Sequence, residues 1–184
     1  MSSRPTDDVG PLVLRRAGAA DVGAIVALVE SAYRGEASRA GWTTEADLLD
    51  GQRTDAAAVA AALGAAGSEI LLAERRGELV GCCQLSTHER GCYFAMFAVR
   101  PLLQRQGIGA AVLAAAEQRA RERGASVLRL TVIAQRAELI SWYARHGYIP
   151  TGETLAFPYG DERFGRPRRD DLCFVVCEKV LVAR

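Results

Sequence analysis

Two groups of residues in this chain have types and spacings that can do chemistry. The first is Gln104-Arg-Gln-Gly-Ile-Gly109, two glycines one residue apart, which follows the apolar run Tyr93 to Val99 and Arg100-Pro-Leu-Leu103. A glycine has no Cβ, so a bulky anion can approach its main chain. The N–H groups of a first helical turn point outward with the positive end of the helix dipole behind them. The loop therefore predicts a ligand carrying phosphates, against the plain alternative of a tight turn. The second group is Trp142-Tyr-Ala-Arg-His-Gly-Tyr148. A phenol of pKa ~10 is protonated at neutral pH and can give up that proton to a leaving group. A ring packed between helices is the alternative.

Two common phosphate ligands are excluded by the residues C-terminal to the glycines. A nucleoside-triphosphate loop needs Lys-Ser/Thr after its last glycine, and Ala110-Ala111 stand there. A dinucleotide fingerprint needs a third small residue where Val112 lies. It also needs an acidic residue near the end of the next strand, where the chain reads Val132-Ile-Ala-Gln135. The five cysteines, Cys82, Cys83, Cys92, Cys173 and Cys177, are odd in number and sit in strand-like text. They read as small buried hydrophobes of a reducing compartment, and no histidine near Cys173 and Cys177 completes a metal set.

The elements that must position these groups are legible in the patterning. Pro101 ends the run before the loop, since it has no N–H to continue a ladder. A helix from about Gly107 to Arg123 comes next, stopped at Gly124, and Val127 to Ile133 is the next strand. A strand-helix-strand crossover implies a parallel pair. Ala137 to His146 forms a further helix ended by Gly147, with a strand from Tyr148 and a last one over Leu172 to Val182. Upstream, Leu12 to Arg16 is a strand. Asp21 starts a helix with Val22, Ile25, Val26, Val29, Ala32 and Tyr33 along one stripe. A second helix is expected from Thr44 on its Thr-x-x-Asp signal and a third over Ala56 to Ala66. Ile70–Glu74 and Leu79–Ser86 form a hairpin, and Cys92–Val99 completes a meander.

A chain of 184 residues fits one domain over 12–184 behind a polar tail over 1–11, and buries roughly 70% of its unfolded surface. The formal net charge of +1 with mixed signs gives no nucleic-acid footprint. No apolar run approaches the ~18 residues of a membrane span, and residues 1–11 lack a signal peptide's apolar core, so a soluble, cytoplasmic protein is expected.

Val99-Arg-Pro followed by Gln104-x-x-Gly-x-Gly109, and Tyr143-Ala-Arg-His-Gly-Tyr148 downstream, together resemble the GNAT superfamily of N-acetyltransferases, with the order of elements matching from Leu12 to Leu181. The resemblance implies an α/β (α+β) fold: a mixed, mostly antiparallel sheet of six or seven strands, helices on both faces and a splayed parallel central pair. It implies acetyl-CoA as cosubstrate and no metal. The pyrophosphate would be held by the main chain of Arg105, Gln106, Gly107, Ile108, Gly109 and Ala110 after Gln104. Phe97, Ala98 and Val99 would pair with the pantetheine arm, and one of their N–H groups would polarise the thioester carbonyl. Arg105 would add a phosphate contact or stand in solvent. Tyr143 matches the position that protonates the departing thiolate. The reaction implied is direct transfer to a primary amine of a small molecule or peptide, a homodimer being allowed; an acyl-CoA-binding sensor without turnover is the alternative.

Two departures from that pattern stand out. The asparagine that often opens the last helix is replaced by Arg136, which would reach a CoA phosphate, a substrate carboxylate or solvent. The strand before the loop carries no carboxylate, so the base is unassigned, with Glu89, His88, Glu36 and Glu45 as candidates. The acceptor is expected beside the loop over residues 34–47 and beside residues 157–169, whose arginines suit an anionic acceptor or merely balance Asp161, Glu162, Asp170 and Asp171.

Overall fold

The computed structural model describes residues 10–182, so residues 1–9 of the expected tail lie outside the described residues. Strand β1 (Leu12–Arg16) leads into helix α1 (Val22–Tyr33), which buries Ile25, Leu28, Val29 and Ala32. After α2 (Gly35–Arg39) and the two-residue strand β2 (Leu49–Asp50) comes α3 (Ala56–Gly64), capped by the Asp55 side chain accepting from the Ala58 N–H. Strands β3 (Ser68–Arg75), β4 (Glu78–His88) and β5 (Gly91–Val99) form the meander. Next come α4 (Ile108–Glu122), β6 (Val127–Ile133), α5 (Ala137–Arg145) and β7 (Ile149–Ala156), and finally the short β8 (Arg166–Pro167) and β9 (Cys173–Val180).

Seven strands make one sheet in the order β1-β3-β4-β5-β6-β9-β7, antiparallel except at β5–β6. Strand alternation sends neighbouring side chains to opposite layers. Leu71, Ala73 and Cys83 pack toward α4, whereas Ile70, Leu72 and Cys82 pack under α1 and α3. Both faces are thus covered, as the family resemblance implied. The five cysteines are free. Burial pushes the Cys82 thiol up to about 12 and raises Cys83 as well, so neither supplies a thiolate nucleophile.

The sheet opens at its middle. The parallel pair holds only at Cys92↔Leu128 and Tyr93↔Arg129, while β6 stays paired with β9 from Val127 to Ile133. On the other side of β5 the register jumps from Gln84↔Ala95 to Cys82↔Ala98, so Met96 and Phe97 face the single residue Cys83. That bulge puts Met96 at φ +47°, a left-handed conformation that costs a side-chain-bearing residue ~1–3 kcal/mol. The Cys82 thiol donates to the Met96 carbonyl and the Tyr33 hydroxyl to the Phe97 carbonyl, which hold the turn in place. The end of β5 is therefore bent away from β6, leaving Phe94 to Val99 unpaired on that edge.

One expected element does not form. Residues 41–48 make turns instead of the helix expected from Thr44, and a helical turn forms earlier, at Gly35–Arg39. The Thr44 hydroxyl accepts from the Ala46 N–H at 3.0 Å, closing a tight turn that competes with a helix start. Glu45 is drawn inward between Arg34 and Arg136, which a surface helix there would not allow. The β2–β8 ladder was also unforeseen. It pairs Leu49↔Pro167 and Asp50↔Arg166, joining the chain just after residues 34–47 to the 157–169 segment, over a small core of Leu49, Ile133, Phe157 and Leu172.

Candidate active site

At the open end of β5 the chain turns through Pro101–Leu103 and a four-residue loop into α4. Arg105 (φ +65°) and Gly107 (φ +81°) are left-handed, which swings successive main-chain N–H groups toward one side. The Ala111 N–H is the first to reach a carbonyl of the helix, that of Gly107. The N–H groups of Ile108, Gly109 and Ala110 are left pointing along the axis at a ligand's position. The Gln104 side chain donates to the Val99 carbonyl (3.2 Å) and accepts from the Trp42 N–H (2.9 Å), tying the residue 41–44 turn to this loop.

The gap between β5 and α5 is a cavity of about 700 Å³. Phe97, Ala98, Val99, Gln104, Arg105, Gly107, Gly109 and Ala110 line it, together with Arg136 from the start of α5. Of the predicted cofactor residues, Gln106 turns away to Arg75 (2.9 Å) and the Ile108 side chain is buried in the core. Their expected contribution was through the main chain, which these side-chain positions leave intact. Trp142 stacks on Phe97 (ring centroids 5.8 Å apart) and His146 lies against Trp142 at 4.1 Å, forming an aromatic wall. A volume of this size, an edge of unpaired strand and an open helix N-terminus fit a long ligand with amide groups in one half and phosphates in the other.

Gly109 sits where helix and wall meet. A Cβ there would stand 3.3 Å from the Phe97 ring and 3.6 Å from the Trp142 ring. Replacing it by valine is expected to push both rings into the cavity and weaken acetyl-CoA binding about tenfold with a small change in melting temperature, as calorimetry and thermal unfolding would report.

A smaller cavity of about 100 Å³ adjoins the first and shares Tyr33, Phe97, Arg136 and Leu139 as walls. Tyr143 lines it. Its hydroxyl has no hydrogen-bond partner among the described residues, although the residue is only 4% exposed. Burial raises the Tyr143 phenol well above 10, so it holds its proton at neutral pH. Tyr93 and Thr131 meet hydroxyl to hydroxyl at 2.6 Å across the splayed strands on the same side.

The four base candidates have separate fates. His88 and Glu89 lie at the far end of β5, roughly 20 Å from Phe97 at the rise of an extended strand, and line neither cavity. The Glu36 side chain is 93% exposed and paired with Arg39. Glu45 does line the smaller cavity, but is held by Arg34 (2.7 Å) and Arg136 (2.8 Å). Burial pushes its carboxyl up, yet the guanidinium groups of Arg136, Arg53 and Arg34 together outweigh that and hold it below the ordinary range. It is a weak proton acceptor. The arginines of residues 157–169 line neither cavity. Arg163 pairs with Asp161, Arg169 with Asp171 and Arg168 with Asp50.

A mixed sheet split at its one parallel pair, with an open helix start at the mouth of the split, leaves a free strand edge and a helix N-terminus facing one cavity. The family model described as acetyltransferase (GNAT) family matches residues 24–148, and the chain belongs to that family. No curated protein matches the chain. Among solved structures it is similar to the ribosomal-protein-S18-alanine N-acetyltransferase of Escherichia coli, with a TM-score of 0.70, 16% identity and coverage of 95% of this chain and 96% of that one. Nourseothricin acetyltransferase gives 0.67 at 20% identity, over 93% and 99%. A Bacillus anthracis structure described as a streptothricin acetyltransferase, solved in complex with acetyl coenzyme A, gives 0.55 at 16% identity over 64% and 65%. The first two are named for very different acceptors, so the shared fold does not choose the acceptor.

Proposed function

We propose that the chain is an acetyl-CoA-dependent N-acetyltransferase that moves an acetyl group directly to a primary amine of a small molecule or peptide. One juxtaposition carries the reading: the unpaired, bulged edge of β5 runs from the wall shared with Tyr143 to the open first turn of α4. Acetyl-CoA supplies the thioester. The N–H groups of Ile108 to Ala110 hold its pyrophosphate, with Arg105 and Arg145 at the cavity edge as cations that have no ion-pair partner among the described residues. Phe97 to Val99 offer main-chain groups to the pantetheine amides. A β5 N–H facing the gap takes up the negative charge that develops on the carbonyl oxygen. Tyr143, kept neutral by burial, donates its proton to the departing sulfur.

The acceptor reaches the carbonyl from the smaller cavity. Glu45 is the one carboxylate among that cavity's described walls, and its three guanidinium neighbours make it too weak a base for an alkylammonium group. The amine therefore passes its proton to water before attack.

Tyr143→Phe tests the acid. A coenzyme A thiol has a pKa near the ordinary ~8.5, so its thiolate leaves with modest help, and kcat is expected to fall about 10²-fold, the low end for such catalysis, with acetyl-CoA affinity unchanged. An unaltered kcat would remove the role. The reading as a whole is tested by thiol release from acetyl-CoA over a panel of amines. Tight cofactor binding with no release for any acceptor would point to a sensor instead.

A further inference from the structure

We propose that the acceptor is a small amine bearing a carboxylate, of the α-amino acid type, and that Arg53 and Arg136 in the smaller cavity bind that carboxylate. This rests on the acetyl-transfer reading given above. Three guanidinium groups, Arg34, Arg53 and Arg136, surround the single carboxylate of Glu45, which leaves two positive charges in surplus. The side chains of Arg34 and Arg136 are each 6% exposed and that of Arg53 33%, so one of the two surplus charges is removed from water. An uncompensated cation in that position is expensive. The Nε–H groups of Arg34 and Arg136 are also buried without a partner.

Glu69 makes the contrast. It too gathers three arginines, Arg16, Arg119 and Arg123, but their side chains are 66%, 36% and 23% exposed, so water neutralises what the carboxylate does not. Around Arg34 and Arg136 water has far less access. Arg136 moreover stands at the N-cap of α5, where the helix dipole disfavours a cation and favours an anion. Structural pairing with Glu45 alone accounts for neither feature. An arriving anion accounts for both.

Position separates this site from the phosphate grip. Arg53 and Arg136 both lie against the Tyr33 ring, at 5.2 and 5.6 Å, and the Tyr33 hydroxyl donates to the Phe97 carbonyl. The two cations therefore stand level with residue 97, before β5 reaches the loop that turns into α4. Both line the cavity that Tyr143 lines. A carboxylate held there leaves an amine on the adjacent carbon within the shared wall, facing the thioester. The small volume favours a free amino acid over a peptide.

The experiment compares α-amino acids with their own amides and decarboxylated amines. It reads thiol release from acetyl-CoA and, separately, calorimetric binding of each N-acetylated amino acid or amide to protein saturated with coenzyme A. The acids are expected to exceed their amides about 100-fold in kcat/KM, and the N-acetylated acids to bind where the amides do not. Arg53→Gln, at a half-buried residue that only grazes Glu45 (4.0 Å), should raise KM for the acids about 30-fold. It should leave the amides and acetyl-CoA affinity unchanged, and Arg53→Lys should recover part of the loss. Equal use of acids and amides, or preference for peptides over free amino acids, would overturn the inference while acetyl transfer stands. Arg53-dependent binding of the N-acetylated acids with no release from any amine would keep the carboxylate site and sink the transfer reading. Neither binding nor release would sink both.

Discussion

Gly107→Asp is expected to lower acetyl-CoA affinity about 10³-fold while the protein stays folded. A Cβ at residue 107 meets nothing within 4 Å, so no core contact is disturbed. The backbone there is left-handed at φ +81°, a region that aspartate and asparagine enter more easily than other side chains. The stability cost is therefore ~1 kcal/mol, which for a chain of this length is a shift of about 2–4 °C in melting temperature. The carboxylate would sit at the head of α4 and take the N–H groups of Gly109 and Ala110 as a helix cap does. Losing two charge-assisted hydrogen bonds to phosphate at ~2 kcal/mol each gives the thousandfold figure. Gly107→Asn separates charge from backbone: it carries the same conformational cost, and an affinity loss of about tenfold is expected. Calorimetric titration of both variants with acetyl-CoA decides the matter. Affinity retained by the aspartate variant would mean that the phosphates are held elsewhere.

The loop and strand edge proposed to hold the cofactor were legible because they depend on main-chain geometry. Gly107 marks where the chain turns left-handed and Gly109 where Phe97 and Trp142 approach a helix, and glycine meets each demand at the least cost. Pro101 marks where the strand must stop. These are local constraints, written one residue at a time. The acceptor half depends on contacts between distant residues. Glu45 meets Arg136 across 91 positions, and Arg34 comes from the end of a helix with no chemical motif. Local propensity at Thr44 pointed to a helix there, because nothing nearby shows that the next residue is pulled into a buried ion cluster. The β2–β8 ladder is two residues long on each strand, too short for any period to register. Arg53 carried no signal at all. The bulge at Met96 lies between: the family resemblance implied the splayed central pair, but a methionine at φ +47° is not a residue that announces a turn.

Glu45→Gln is expected to cost the protein ~3–5 kcal/mol at neutral pH, a fall of about 10 °C in melting temperature. The substitution keeps the shape and the hydrogen-bond acceptor toward Arg34 but removes the only negative charge among three guanidinium groups, two of them buried. A surface pair would lose less than 1 kcal/mol on the same change. The effect depends on pH in one direction. The folded Glu45 carboxyl lies below its ordinary value of 4.5, so its stabilising contribution is complete above that value and is lost as the pH falls through the folded one. The wild-type protein should therefore converge on Glu45→Gln in acid, and the two unfolding curves measured from pH 7 downward should close below about pH 4.5. A gap that stays constant to lower pH would show that the glutamate acts by packing alone. A bound carboxylate should restore less stability to the variant than the substitution removes, because an anion at Arg53 and Arg136 replaces only part of a charge that also neutralises Arg34. On the proposed carboxylate site, stability and acceptor choice draw on one charge balance. Glu45 sets how much positive charge remains for a ligand to meet.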